Sequence, residues 1–321
     1  MIMTDKYDVI IIGSGAAGLS AGLYSGRYRI KTLIISKEFG GETSLAGKIE
    51  NYPGFKANDG FELMNIMQEQ NKSVGTEFLE AEVKKIEKQG HCFVITTNSV
   101  TVEAKSIVFA TGTRRKKLGL PNEKELIGRG VHYCITCDGP VYAGKTIVLV
   151  GGGDASVKGA NLASEYTRKI FFLTREKEIT AEPINIEQMK KIGDKIEILY
   201  ETEVKEIIPA DMGLEKLIIS KPYNGSNEIQ AQGLFIEIGA EPNVELAKSI
   251  GVGLDEKGYI KVDNAMKTNL DGVFAAGDIT NYFGRFKQDI IAAAMGAVAA
   301  TSAYDDIKLH GDLCPYHARP A

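Results

Sequence analysis

The stretch Tyr-Asp-Val-Ile-Ile-Ile-Gly-Ser-Gly-Ala-Ala-Gly at 7–18 constrains this chain more than any other. An apolar run with no polar alternation reads as a strand buried on both faces of a parallel sheet, and its glycines carry it into a helix predicted over 19–27. Gly13 permits the tight turn, Gly15 lets backbone approach a pyrophosphate, and Gly18 lets helix and strand touch. The loop residues Ser14, Ala16 and Ala17 then lie beside the helix N-terminus, which faces the phosphates. A second apolar run at 31–36 and Glu38 follow, the acid standing where it can bind ribose hydroxyls.

The pattern recurs 138 residues later. The strand is 147–150, Gly151 and Gly153 match Gly13 and Gly15, Asp154 follows, and Ser156 takes the place of Gly18. The next strand is 170–174, and Glu176 falls opposite Glu38. Two dinucleotide units are expected, the second either a working site or a retained structural repeat. A third element at 268–278 ends in Gly277 and Asp278, whose carboxylate can accept hydroxyl hydrogen bonds. Together with Ala110-Thr111-Gly112 at another strand end, it returns the chain to the first unit. The expected fold class is α/β, with two Rossmann-like nucleotide-binding domains, the second inserted into the first. The boundaries are 1–115 with 244–321 for the outer domain and 116–243 for the insert, with crossings near 113–121 and 239–243, where Gly and Pro cluster.

A chain of 321 residues fits two such domains. Lys plus Arg (38) against Asp plus Glu (42) leaves net −4, which excludes the basic footprint nucleic acid requires. The longest small-apolar stretch, 290–300, falls short of the ~18 residues of a membrane span, and Lys6 precedes too short an apolar run for a signal peptide. No membrane crossing and a cytoplasmic compartment are therefore expected. Four cysteines are too few for a disulfide scaffold.

Of these, Cys134-Ile-Thr-Cys137-Asp138 is the pair with chemistry. Thiols at this spacing can close a small disulfide, and a helix N-terminus or an adjacent acid can bias their protonation. Thiol–disulfide exchange is the expected use. The alternatives are inert structural cysteines, or half a zinc site completed by Cys314 and His317; no metal is assigned. Cys92 reads as a packed strand residue.

Gly-Ser-Gly-Ala-Ala-Gly (13–18), Gly-Gly-Glu (40–42), Glu50-Asn51-Tyr52-Pro53-Gly54, Thr111-Gly112, the 134–138 pair, Gly-Gly-Gly-Asp (151–154) and Gly277-Asp278 stand in one order. In that order, over about residues 6–306, the chain resembles the low-molecular-weight thioredoxin reductases. The resemblance implies a homodimer, FAD in the outer segments, a pyridine nucleotide in the insert and thioredoxin as the disulfide substrate. It implies that Cys137 faces the flavin, Cys134 attacks thioredoxin and Asp138 is the general acid or base, with one domain rotating against the other. Gly41, Glu42, Asn51, Val83, Thr111, Gly112, Asp278, Lys287 and Gln288 become the expected flavin contacts. Lys287 and Gln288 belong to Arg285-Phe286-Lys287-Gln288, similar to the stretch that touches the flavin ring.

Three features depart from the family's pattern. Its NADPH-using members carry His-Arg-Arg-x-x-x-Arg after the second strand of the insert, but this chain reads Thr174-Arg175-Glu176-Lys177-Glu178-Ile179-Thr180. Only Arg175 survives, and a 2'-phosphate beside Glu176 and Glu178 is repelled. That points away from NADPH and toward NADH with Glu176 on the ribose. Lys158-Gly159 replaces paired glutamates, which keeps open a nucleotide-independent donor such as ferredoxin or a reduced deazaflavin. Glu42 stands where relatives have glutamine, either near the flavin or at the pocket rim. The basic run 114–117 is either a solvated linker or a docking point for an acidic redox protein. The tail 311–321, with Cys314, Tyr316 and His317, is either a mobile end or a cover for a flavin. The expected function is thioredoxin-disulfide reductase. Another dithiol protein as substrate, or a flavin-bearing redox sensor without turnover, are the alternatives.

Overall fold

The computed structural model describes residues 5–46, 49, 51–55, 59–211, 213–284 and 286–310. Glu50, Arg285 and the tail 311–321 lie outside the described residues. The chain divides into two compact units, Met1–Arg114 with Pro242–Ala321, and Arg115–Glu241.

In the first unit the strands Glu77–Glu80, Thr32–Phe39, Lys6–Ser14 and Thr101–Phe109 run parallel in that spatial order, and Val273–Ala275 also pairs in parallel with Thr101–Phe109. Antiparallel strands Cys92–Thr97 and Val83–Gln89 extend the sheet beyond Thr101–Phe109. The unbroken apolar run of the first strand serves both faces. Val9 and Ile11 pack with Ile34, Val108 and Phe274 under the helices Ala16–Arg27 and Asp289–His310. Ile10 and Ile12 pack on the other side with Leu33, Ile35, Phe93 and Ile107. Each fully buried isoleucine of this kind stabilises by about 1.5–3 kcal/mol, enough to hold the strand wherever its loop must be aimed.

The helix after the first strand begins at Ala16 rather than at the expected residue 19, because the glycine loop turns directly into helical backbone with Gly15 as its N-cap. The C-terminal helix also exceeds its expectation. Reading only 290–300 as apolar undercounts an element that runs Asp289–His310, which is long and apolar enough to cross a membrane. Its alanines pack instead against Ala16–Arg27, and a Cβ at Gly296 would come 2.0 Å from the Ala17 carbonyl oxygen. The expected element at 268–278 forms a strand only over Val273–Ala275, and Asp278 sits in the 3-10 turn Gly277–Ile279.

The second unit has its own parallel sheet in the order Ile196–Leu199, Lys169–Leu173, Thr146–Val150, Gly233–Ile236, Val131–His132. The same division of one strand between two cores recurs. Ile147 and Leu149 face the helices Asp154–Ser164 and Pro183–Ile192, while Val148 and Val150 face an antiparallel sheet of Val204–Ala210, Gly213–Tyr223 and Ser226–Gln230. The two crossing segments, Thr113–Arg115 and Ala240–Pro242, pair with each other. In the basic run, Arg114 holds Glu245 at 2.6 Å and Arg115 holds Glu237 at 3.0 Å.

Candidate active site

The first glycine loop is built from backbone that no side chain could replace. Gly13 has φ +110°, and a Cβ there would come 2.3 Å from the Ala110 carbonyl oxygen, while one at Gly18 would come 1.9 Å from the Gly13 oxygen. Strand and helix therefore meet only as glycine to glycine. Gly15 differs, since its nearest neighbour would be the Gly40 oxygen at 3.8 Å, so its missing side chain leaves room above the loop. Among the described residues, no side chain caps the helix Ala16–Arg27 and no acid stands in its first turn, which leaves its N-terminus open to an anion. Ser14 clamps the loop: its hydroxyl donates to the Glu38 carbonyl at 3.1 Å and accepts the Gly40 N–H at 3.1 Å. The Glu38 side chain is exposed at the end of its strand. Gly41 has φ +57°, and a Cβ there would stand 3.6 Å from the Gly15 Cα.

The other expected contacts lie at strand ends, turns and helix starts of this same unit. Thr111 and Gly112 are fixed by Asn243, which exchanges three hydrogen bonds of 2.8–3.1 Å with them. A Cβ at Gly112 would meet nothing within 4 Å, so open space lies above it. Asn51 donates to the Gln288 side chain at 2.7 Å, joining two residues 237 apart in sequence. Glu42 lies exposed in the first turn of the short helix Gly41–Ser44. Val83 begins its strand and buries its side chain in the core, leaving only backbone to offer a ligand.

Lys287 and Asp278 form the electrostatic centre of this unit. The Lys287 ammonium donates to the Thr280 and Asp278 carbonyls and stands 4.4 Å over the Tyr259 ring. Burial pushes the Asp278 carboxyl up, Lys287 opposes that, and Asp289 and Glu42 reinforce it. Burial in turn pulls the Lys287 ammonium down. Asp289, which the sequence reading passed over, is pushed up by burial and accepts the Thr43 hydroxyl at 2.6 Å. No motif marks that bond, because a hydroxyl and a carboxylate 246 residues apart meet only in the fold.

In the second unit the glycine loop is occupied differently. A Cβ at Gly151 would come 2.5 Å from the Glu237 oxygen, and the Ser156 side chain, where the first unit has Gly18, is accommodated because its hydroxyl bonds the Gly153 carbonyl at 2.8 Å. Gly153 caps the helix Asp154–Ser164, and Asp154 stands in its first turn. Burial works to raise that carboxyl, but hydrogen bonds from Lys158, the Glu182 N–H and Asn185 outweigh it and hold it below the usual range. Thr180 closes over the loop, its N–H donating to the Gly152 carbonyl at 2.8 Å. Glu176 lies beside the same loop, 4.0 Å from where a Gly152 Cβ would be. Its carboxylate pairs with Arg175 at 3.0 Å.

Cys134 and Cys137 are joined in a disulfide with Cα atoms 5.4 Å apart. The half-buried Cys134 caps the turn Ile135–Asp138, its sulfur accepting the Cys137 N–H at 3.2 Å, and Cys137 is exposed. With each sulfur bonded to the other, neither serves the zinc alternative, whose other half, Cys314 and His317, lies outside the described residues. Asp138 ends the turn, and His132, which the sequence reading did not single out, lies 3.1 Å from its carboxylate. An accessible disulfide at a helical N-terminus with a carboxylate alongside suits thiol–disulfide exchange. In the first unit, the open helix end, the space above Gly15 and Gly112, and the half-buried Asp278 suit a flavin dinucleotide.

Residues 7–301 match a family model described as pyridine nucleotide-disulphide oxidoreductase. The thioredoxin reductase of Bacillus subtilis (strain 168) is 35% identical over 298 residues, covering 92% of this chain and 93% of that protein. The solved thioredoxin reductase of Lactococcus lactis is 34% identical at a TM-score of 0.88, covering 94% of this chain and 99% of its own. A ferredoxin-flavin thioredoxin reductase from Clostridium acetobutylicum is 31% identical at a TM-score of 0.52, covering 95% and 99%.

Proposed function

The chain belongs to the pyridine nucleotide-disulphide oxidoreductase family, and from that premise we propose that it is an FAD-dependent thioredoxin-disulfide reductase. The observation that carries this is the Cys134–Cys137 disulfide, seated on a helical turn with Asp138 at its end. Gly13, Ser14, Gly15, Ala16 and Ala17 would hold the FAD pyrophosphate, Glu38 a ribose, and Asp278 a hydroxyl. Lys287, Gln288, Asn51, Glu42, Gly41, Thr111, Gly112 and the Val83 backbone complete the cradle. Bound there, FAD supplies a two-electron relay between a reduced donor and the disulfide.

The chain's own residues then do the following. In the reduced pair, the Cys137 N–H and the turn's N-terminus favour a thiolate on Cys134. That thiolate attacks one sulfur of the thioredoxin disulfide; the partner's S–S bond breaks, a mixed disulfide forms, and the released thiolate takes a proton from Asp138. Cys137 gives its proton back to Asp138 and attacks the Cys134 sulfur. The mixed disulfide between Cys134 and thioredoxin breaks as the 134–137 bond re-forms, and reduced thioredoxin leaves with its second sulfur as a thiolate.

For the donor we propose NADH over NADPH at the second glycine loop. Support comes from the Arg175–Glu176 pair, which confronts a 2'-phosphate with a carboxylate already holding the surviving arginine. A nucleotide-independent donor such as ferredoxin is the second reading, favoured by Thr180 and Glu182 being fastened across that loop. Anaerobic stopped-flow absorbance decides. NADH should bleach the flavin faster than NADPH by tenfold or more, thioredoxin should reoxidise it, and Glu176→Arg should shift preference toward NADPH by about tenfold. Bleaching by reduced ferredoxin alone would reject the nicotinamide donor. A homodimer in the cytoplasm is part of the same proposal, supported by the family resemblance and the sparing use of cysteine, with sedimentation measuring the subunit number.

A further inference from the structure

Two residues ahead of Cys134, the edge strand Val131–His132 delivers a histidine into the interior. His132 is 5% exposed, and its ring stacks on Phe235 at 5.1 Å and 21°. Both ring nitrogens are engaged: Nδ1 lies 3.1 Å from Asp138 Oδ2, and Nε2 lies 2.7 Å from the Tyr142 hydroxyl. Tyr142 is itself buried, its ring edge-on to Phe235 at 5.4 Å. The chain of polar atoms thus starts in the core and ends at the Asp138 carboxylate, whose side chain is 43% exposed.

We propose that His132 is a positioning residue for the dithiol chemistry, forming with Tyr142 a buried relay that orients Asp138 and lets it gain and lose its proton. This rests on the disulfide-reductase reading of the Cys134–Cys137 pair. The relay works because two arrangements of its hydrogens satisfy the same heavy atoms. With Asp138 ionised, Nδ1–H donates to Oδ2 and the Tyr142 hydroxyl donates to Nε2. With Asp138 protonated, its O–H donates to Nδ1 and Nε2–H donates to the Tyr142 oxygen. Neither state leaves a buried nitrogen orphaned, so Asp138 avoids the penalty that an unsatisfied buried group would add to one of them. Burial, and then the Asp138 charge, push the Tyr142 phenol up, which keeps it a hydroxyl able to serve as donor or acceptor. Among the described residues, the ionisable groups set against the imidazole are Asp138 and Tyr142. Lys145 stands 5.2 Å from the tyrosine ring centre, and Phe235 offers only apolar surface.

The proton traffic closes with water as the one further reactant. As the bond from Cys134 to the partner's sulfur forms and the partner's S–S bond breaks, Asp138 protonates the leaving thiolate, and His132 reaches its Nδ1–H form by exchange with water, taking on one proton at Nδ1 and giving one up from Nε2. As Cys137 attacks, its proton returns to Asp138, the bond from Cys134 to the partner breaks with the partner's second sulfur leaving as a thiolate, and His132 shifts back by the reverse exchange. The two electrons pass from the dithiol to the partner's disulfide.

The test uses the FAD-loaded full-length protein, reduced with dithionite, as wild type and as His132→Gln, His132→Phe and Tyr142→Phe. Two rates are followed between about pH 5.5 and 9: alkylation of the dithiol by iodoacetamide, and reoxidation of the enzyme by oxidised thioredoxin. Both histidine variants should displace the pH midpoint of both profiles and slow reoxidation about tenfold at neutral pH, with Tyr142→Phe moving the midpoint less in the same direction. A histidine that only packs would lower the denaturation midpoint or flavin content and leave the pH midpoints in place, which overturns the relay. If the histidine variants do not fold, Tyr142→Phe keeps the ring against Phe235, and unmoved midpoints in it overturn the relay equally. A wild-type enzyme that alkylates normally but is not reoxidised by thioredoxin would reject thioredoxin as substrate; a displaced alkylation midpoint would still uphold the relay.

Discussion

The two cysteines of the redox pair are chemically alike but differently placed. Cys137 is the more exposed, whereas Cys134 receives a backbone N–H. Access and thiolate stabilisation thus point to different nucleophiles, and the second governs reactivity because the thiolate is the attacking species. Cys137→Ser should accumulate a mixed disulfide between Cys134 and thioredoxin, visible as a shifted band on non-reducing gels, and Cys134→Ser should not. The reverse result would exchange their roles. Asp154 gives a residue-scale test by pH. Its folded-state carboxyl is held below its ordinary value, so its contribution to stability is present above the unfolded pKa and is lost as pH falls through the folded one. Asp154→Asn should lower urea stability by about 0.5–1 kcal/mol at neutral pH, solvent screening keeping the loss small. The gap from wild type should close in strong acid.

At the scale of the element, the first strand–loop–helix unit separates two uses of glycine. At Gly18 an added methyl meets the Gly13 carbonyl at 1.9 Å, and backbone cannot swing aside as a side chain could. Gly18→Ala should cost about 1–3 kcal/mol by urea denaturation. At Gly15, with φ −74° and 3.8 Å to the nearest atom, alanine fits the folded chain. Gly15→Ala should hold the denaturation midpoint of the flavin-free protein near wild type while weakening FAD retention on gel filtration, since the methyl fills the pyrophosphate's approach. If both variants behaved alike, the distinction between packing and ligand glycine would fail. These elements were legible because their signals are local: an apolar run, a glycine spacing and an acid 20 residues on. Their boundaries were less so, since Ala16 and Leu19 are equally good helix residues and loop geometry alone decides which begins the helix.

For the whole molecule, the repeat and the third element at 268–278 announce an interrupted first domain, and the structure divides the chain at 114/115 and 241/242. The inner unit is continuous in sequence and has separate cores on both faces of its own sheet. Residues 115–241 expressed alone should therefore fold cooperatively by circular dichroism and denaturant titration, and a non-cooperative melt would refute that independence. The outer unit needs both of its segments, because Val273–Ala275 pairs with Thr101–Phe109 and the C-terminal helix covers Ala16–Arg27.

The glycine fingerprints, the Cys134–Cys137 spacing and the substitution of Glu176 for an arginine were all readable in the chain, because each depends on neighbours within a few residues. That His132 reaches Asp138 and Tyr142, that Asn51 meets Gln288, and that Asp289 joins the charges around Lys287 were not. Such contacts depend on side-chain direction and on burial. A histidine before a redox pair can face solvent or core with the same spacing, and a carboxyl is pushed up where packing excludes water and gathers other acids. Both are consequences of how sheets and helices stack, which local pattern does not encode.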